Sequence, residues 1–193
     1  MEQADAAIDP LDRAIGERIK ALRAARGLTL EALADKSGVS RAMLSRIERG
    51  ESNPTAQLLA RVCAGLDVTL SALFAETERA ASPLARRAEQ ALWRDPGSGY
   101  VRRVVTPPNS GAAADIVEVE FPPGATVTME SSRTPALDQQ IVLLAGRMDI
   151  TVGDTTHRLE TGDCLHMHLG QPVSFHNPGT KTAHYLVVVA QRS

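Results

Sequence analysis

Aromatic residues are almost missing from this 193-residue sequence: one Trp, two Tyr and three Phe make 3% of the chain. Any core must therefore be filled by Val, Leu, Ile and Ala, and 43% hydrophobic residues suffice for one. Cysteine is equally scarce. Cys63 and Cys164 stand far apart, which excludes a disulfide framework and fits free thiols in a reducing compartment. No apolar run approaches the roughly 20 residues that a membrane helix needs. The stretch "MEQADAAIDP" is acidic and lacks a basic region followed by an apolar one, so no secretory signal is expected. These absences lead us to expect a cytoplasmic protein with no membrane partner, and the length suits one large domain or two small ones.

A net charge of −2 gives no hint of a nucleic-acid binder, but the charge is unevenly spread. Residues 13–49 carry nine Lys/Arg (13, 18, 20, 23, 26, 36, 41, 46, 49) against four acids (17, 31, 35, 48). Residues 98–193 carry seven basic and nine acidic residues. A locally basic segment in a near-neutral chain is either a solvated helix face or an electrostatic footprint for nucleic acid.

The hydrophobic period divides the chain. Ile15, Ile19 and Leu22 recur at helical spacing, and Gly27 ends that helix. Thr29 caps a second helix with Leu30, Leu33 and Ala34 inward, ended by Gly38. Ser40 caps a third, with Met43, Leu44 and Ile47 inward and Gly50 at its close. A fourth helix is predicted over about 55–66 and a short fifth over about 71–75. Residues 76–98, charged and Ala-rich, read as a helical or partly mobile linker in which Trp93 docks on a neighbour. From Tyr100 the period becomes two. "IVEVEF", "QIVLLA", "RMDITVG", "HRLETGD" and "AHYLVVVA" are β-branched-rich runs separated by Gly, Pro and Asn. The predicted organisation is a tail (1–11), a helical domain (12–75), a linker (76–98) and an all-β domain (99–193), an α+β two-domain chain.

Residues 30–49, "LEALADKSGVSRAMLSRIER", are a helix, a tight turn at Gly38 and a second helix: a helix-turn-helix. Glycine at the turn permits backbone geometry that a side chain resists. The longer run "ALRAARGLTLEALADKSGVSRAMLSRIERGESNPT" closely resembles the lambda-repressor/Cro-like (XRE) DNA-binding domain, over about 12–75 and in its five-helix order. That resemblance implies that the second helix of the motif lies in the major groove of double-stranded DNA. Ser40, Arg41, Ala42, Ser45 and Arg46 are its outward positions. Arg41 and Arg46 could each bridge guanine O6 and N7, and Ala42 could touch a thymine methyl. Thr29 would face a phosphate, with Lys36 and Asn53 as further backbone contacts. Glu48 is expected to be a structural partner of a nearby Arg. So small a reader implies a homodimer on a palindromic operator.

The second half resembles the cupin barrel, a double-sheet jelly roll, on "FPPGA", "LLAGRMDITVGD" and "HRLETGDCLHMHLGQPVSFHN". Its pairing with an N-terminal helix-turn-helix is a recurring regulator architecture, and the resemblance to that family implies that the barrel senses a small molecule. Many members also hold a metal through histidines and a glutamate, and this sequence departs from that set. Glu130 and Ser132 stand where paired histidines should, Arg133 is the nearest later residue, Gln139 replaces the glutamate and Val173 the last histidine. Gln, Ser and Val are poor metal ligands, so neither metal nor cofactor is expected, nor an enzyme. The effector-binding candidates are Glu130, Arg133, Gln139, Gln140, Val173 and Phe175; Arg133 could clamp a carboxylate.

Cys164, His166 and His168 alternate with Leu165, Met167 and Leu169, so they share a strand face that should lie outside the barrel or against a partner subunit. Steps of about 7 Å along one strand should keep them from meeting around one ion without a bulge. The resulting expectation is a DNA-binding transcriptional regulator, acting as a repressor, controlled by a small molecule in the barrel. The alternatives are a metal-dependent cupin enzyme fused to a DNA-binding domain and an antitoxin-like repressor with a protein-binding second domain.

Overall fold

Among the described residues, five α-helices come first along the chain and ten strands follow, and the two kinds of element do not intermix. The computed structural model describes residues 10–74, 82–130, 137–168 and 170–191.

The helices are α1 (Pro10–Ala25), α2 (Leu30–Ser37), α3 (Arg41–Glu48), α4 (Ala56–Gly65) and α5 (Leu70–Phe74). Their starts follow from local chemistry. The hydroxyls of Thr29, Ser40 and Thr55 accept the amide hydrogens of Ala32, Met43 and Leu58 at 3.1, 3.2 and 3.3 Å, satisfying donors that a helix N-terminus leaves orphaned. Gly38, at φ 66°, turns α2 into α3 and donates to the Ala34 carbonyl at 2.8 Å. A side chain there would be strained in the left-handed region. Ile15, Ile19, Leu33, Leu44, Ile47, Leu59 and Val62 form the buried centre of this domain. Gly16 sets how closely it packs: a β-carbon there would run into the Ile47 carbonyl, so α1 and α3 meet almost backbone to backbone.

The strands are β1 (Leu92–Arg94), β2 (Val101–Val104), β3 (Ala114–Phe121), β4 (Thr126–Met129), β5 (Leu137–Ala145), β6 (Arg147–Val152), β7 (Thr155–Glu160), β8 (Cys164–His168), β9 (Val173–His176) and β10 (Ala183–Gln191). They make two antiparallel sheets, β1-β2-β3-β10-β5-β8 and β4-β9-β6-β7. Alternation fixes which faces meet. Val117, Val119, Phe121, Ile141, Leu143 and Tyr185 of the first sheet, and Val127, Met148, Ile150, Val173 and Phe175 of the second, are buried.

The expected linker differs from what the chain does. Residues 82–91 hold only one helical turn, a 3-10 turn at Arg87–Glu89, and β1 pairs with β2 in the register Trp93↔Arg102. Helix-favouring composition loses here to strand pairing and to burial of Trp93, a tertiary override of a weak propensity. Residues 76–81, and Ala75 at the predicted end of the fifth helix, lie outside the described residues. No described helix is long and apolar enough to cross a membrane.

Candidate functional site

The α3 helix turns Leu44 and Ile47 into the core, with Met43 half-buried, and leaves Ser40, Arg41, Ala42 and Arg46 exposed. Thr29, Lys36 and Asn53 are exposed near it in sequence, and Ser45 is half-buried. Several of these groups already have work inside the protein. Thr29 and Ser40 cap their helices, Ser45 accepts from Arg49 Nη1, and Arg46 Nη2 reaches the Glu51 carbonyl at 3.4 Å. The side chains of Lys36, Arg41 and Asn53 make no hydrogen bond or ion pair with any described residue, which leaves their donors for an outside partner.

Glu48 takes the structural role expected of it. Its two oxygens accept from Arg23 Nε and Nη2 at 2.6 and 2.7 Å, and Arg23 Nη1 donates to the Leu28 carbonyl at 2.8 Å. This fork ties α3 to α1 and raises the Arg23 pKa, chiefly through the Glu48 hydrogen bond. Helix α3 is thus anchored to α1 by one side chain at its C-terminal end.

The second element of the site is a cavity of about 140 Å³ between the two sheets, walled by Val117, Val119, Phe121, Val127, Val173 and Phe175. Glu130, Gln139, Val173 and Phe175, singled out from sequence, all line it; Arg133 lies outside the described residues, as does Ser132. Gln140 is exposed and does not line it. No histidine stands among the described lining residues. The wall therefore offers one carboxylate, Glu130, in place of the imidazole set that a barrel metal would need.

The cavity does not stop at the barrel. Ala60, Cys63, Leu70 and Ser71 of the helical domain form part of its wall, with Tyr100, Arg102 and Tyr185 between them and the sheets. Sequence reasoning missed these groups. The signal was present in "YVRRV": alternation places Tyr100 and Arg102 on one face, and an inward Tyr100 carries Arg102 inward with it. Burial raises the Tyr100 phenol to about 12, pushes Tyr185 well above its ordinary range and takes the Cys63 thiol up to about 12. All three stay protonated at neutral pH. Burial pulls Arg102 downward, offset in part by Tyr100 and Cys63; a guanidinium remains charged in proteins regardless.

Among the described residues, three polar contacts and a row of rings join the domains around this cavity. The Ala56 amide donates to Asp95 Oδ1 at 2.8 Å, Arg102 Nη2 donates to Ser71 Oγ at 3.2 Å, and Arg61 stands 3.9 Å from Glu130. The Arg102 guanidinium also lies 4.6 Å over the Phe74 ring. From Phe74 the rings continue through Trp93 (5.3 Å), Tyr100 (5.8 Å), Phe121 (5.5 Å) and Tyr185 (6.3 Å) to Phe175 (6.4 Å). All six aromatic residues of the chain stand in this one row.

The face of Cys164, His166 and His168 is exposed while Met167 is buried, as alternation implies. The expected separation of its side chains needs correction. The His166 and His168 rings lie 4.9 Å apart, and with Asp138 of the neighbouring strand their donor atoms fall within 4.8 Å of one another. Cα spacing along a strand does not limit where long side chains end. His168 Nδ1 is 2.6 Å from Asp138 Oδ1. The three groups could accept a borderline cation on the outer surface, away from the cavity; Cys164 is not one of them.

Comparison with known proteins is consistent across the two halves. A helix-turn-helix family model matches residues 19–73, and a cupin domain model matches residues 117–189. The HTH-type transcriptional regulator SutR of Escherichia coli (strain K12) is 25% identical over 178 residues, covering 92% of this chain and 95% of that protein. The HTH-type transcriptional regulator SinR of Bacillus subtilis (strain 168) is 46% identical over 63 residues, which span 32% of this chain and 57% of that one. A crystal structure of a helix-turn-helix family transcriptional regulator from Vibrio cholerae superposes with a TM-score of 0.77 at 27% identity, covering 95% of this chain and 98% of the other.

Proposed function

With the chain being an XRE-type helix-turn-helix transcriptional regulator that carries a C-terminal cupin domain, we propose that a small molecule in the cavity controls how it binds a palindromic operator as a homodimer. Helix α3 enters the major groove, with Arg41 and Arg46 on guanine edges and Ala42 beside a thymine methyl. Ser40 and Ser45 share that outward face, and Thr29, Lys36 and Asn53 position the reader on the backbone. The five helices in the lambda-repressor order and the jelly-roll winding of the two sheets fit this division of labour.

The observation that carries the reading is the shared cavity wall. Cys63 of α4 and Leu70 and Ser71 of α5 face the same space as Val173 and Phe175 of the barrel. A ligand there touches both domains, so its affinity can differ between arrangements of the two. That difference is what shifts a population toward or away from the DNA-competent state. The sign we propose is repression relieved by the ligand.

The test is selection of duplexes from a random pool by the full-length protein, followed by footprinting. A protected two-fold site one helical turn between half-sites is expected. Recovery of no preferred sequence would sink the assignment. A cupin enzyme is disfavoured because the described cavity wall holds no histidine. Metal analysis of the purified protein addresses it: a stoichiometric ion in the barrel would reverse that reading.

A further inference from the structure

We propose that the cavity is an anion site, and that its ligand is a small monocarboxylic acid with an apolar body, held by the Arg102 guanidinium. This rests on the reading of the cavity as the effector site and adds the chemical class of the effector.

Arg102 is 5% exposed, yet no carboxylate stands within ion-pair distance of it among the described residues. Its Nη2 donates to the neutral Ser71 hydroxyl at 3.2 Å, and its Nε has no acceptor among the described residues. The neighbouring arginine shows what the strand can provide: Arg103 Nε lies 3.3 Å from Glu118 Oε2, and Arg87 is paired with the same carboxylate at 2.9 Å. The acid whose charge reaches Arg102 is Asp115, and Asp115 does not line this cavity. The Phe74 ring 4.6 Å away and the Ser71 hydroxyl carry no formal negative charge; a buried charge without a counter-charge is costly, and an anion entering the cavity would offset that cost. A guanidinium offers the fork that matches a carboxylate.

Two more donors share the cavity with it. The Tyr100 and Tyr185 phenols line the cavity, and neither hydroxyl has a hydrogen-bond partner among the described residues. Most of the rest of the wall is aliphatic or aromatic, from Val117 and Val119 to Phe175, with Thr69, Gln139 and Gln171 as neutral polar groups and Glu130 as the one carboxylate among the described residues. An apolar chamber with a cation and two hydroxyl donors recognises a carboxylate on a hydrocarbon body. At about 140 Å³ the chamber is of the order of the roughly 150 Å³ cavity that accepts one benzene. Glu130 at the mouth, which Arg61 approaches only to 3.9 Å, disfavours a second carboxylate on the ligand.

The same guanidinium carries the response. A carboxylate that takes Nη2 draws it from Ser71, a residue of α5. Ligand capture therefore exchanges a bond between the domains for a bond to the ligand.

The experiment is titration calorimetry of the full-length protein with benzoate, phenylacetate and 3-methylbutanoate, and with the corresponding amides as neutral isosteres. We expect at least one acid to bind tenfold or more tightly than its amide, and Arg102→Gln to lose that advantage while amide binding is unchanged. The wild-type comparison of acid with amide stands even if the variant does not fold. Amides binding as tightly as acids, no acid binding at millimolar concentration, or an unaltered acid affinity in Arg102→Gln would each overturn the proposal. Operator mobility shifts with the same acids separate the two readings. Acids that bind without changing operator affinity leave the anion site standing and remove the effector role. Operator affinity that responds to amides and not to acids does the reverse.

Discussion

The Asp95 carboxylate, at the end of β1, accepts the amide hydrogen of Ala56, the first residue of α4, at 2.8 Å. A residue of the barrel domain thus caps a helix of the DNA-binding domain. The carboxylate is 3% exposed, and its other oxygen accepts from the Ser98 amide and hydroxyl at 2.7 and 2.6 Å. An anion near a helix N-terminus is favourable, and here it also fixes one domain against the other. Asp95→Ala is expected to cost about 1–3 kcal/mol, the penalty for leaving a buried donor unmet. Scanning calorimetry should then resolve two unfolding transitions where the parent shows one.

The outward face of α3 predicts a separation of binding from stability. Arg41→Ala combined with Arg46→Ala removes two exposed side chains, neither of which is in an ion pair among the described residues. Specific operator affinity should disappear, at about 1–3 kcal/mol for each guanine contact, while the thermal midpoint stays within experimental scatter of the parent. Undiminished specific binding would remove α3 from the recognition role.

At Gly16 the prediction is steric. Even the single methyl of Gly16→Ala collides with the Ile47 carbonyl, a backbone atom that cannot rotate away. Overpacking of this kind costs about 1–3 kcal/mol. Urea unfolding should register that loss, and operator binding should weaken with it because α1 braces α3 through Arg23 and Glu48.

Alkaline pH should destabilise the fold in a defined window. Cys63 and Tyr100 are raised from ordinary values of 9.0 and 10.0 to about 12, and Tyr185 well above 10.0. Between pH 9 and 12 the unfolded chain releases protons that the folded chain keeps. The folded state then binds more protons, so stability falls as pH rises, and below about pH 8 these groups contribute no slope. With all three in the window the slope reaches about 4 kcal/mol per pH unit. Urea midpoints from pH 8 to 11 measure it, and Tyr185→Phe should flatten the curve.

Much of this was legible in the sequence, for reasons visible at particular residues. Caps at Thr29 and Ser40 and the glycine turn at Gly38 are local chemistry, and local chemistry determined the helix starts. Alternation in "IVEVEF" and "AHYLVVVA" marked β3 and β10. Trp93 docked on its neighbours, Phe74 and Tyr100, as expected. Strand β1 was not legible, since three residues in a charged, Ala-rich context pair only because β2 and the helical domain offer Trp93 a buried place. Arg102 was overlooked for a related reason. A charged residue in a strand reads as solvent-facing by default, and only the contact with Ser71 and Phe74, far away in sequence, makes it interior. The clustering of Asp138 with His166 and His168 needed the β5–β8 register, which no single strand reveals.

The scarcity of aromatic residues has an optical consequence. The lone indole, Trp93, sits between Phe74 of one domain and Tyr100 of the other, and both tyrosines stand in the same row of rings. Excitation absorbed by either phenol is within transfer range of that indole. The intrinsic fluorescence of the protein is therefore a reporter placed at the joint between its domains, so ligand entry can be followed there without attaching a dye.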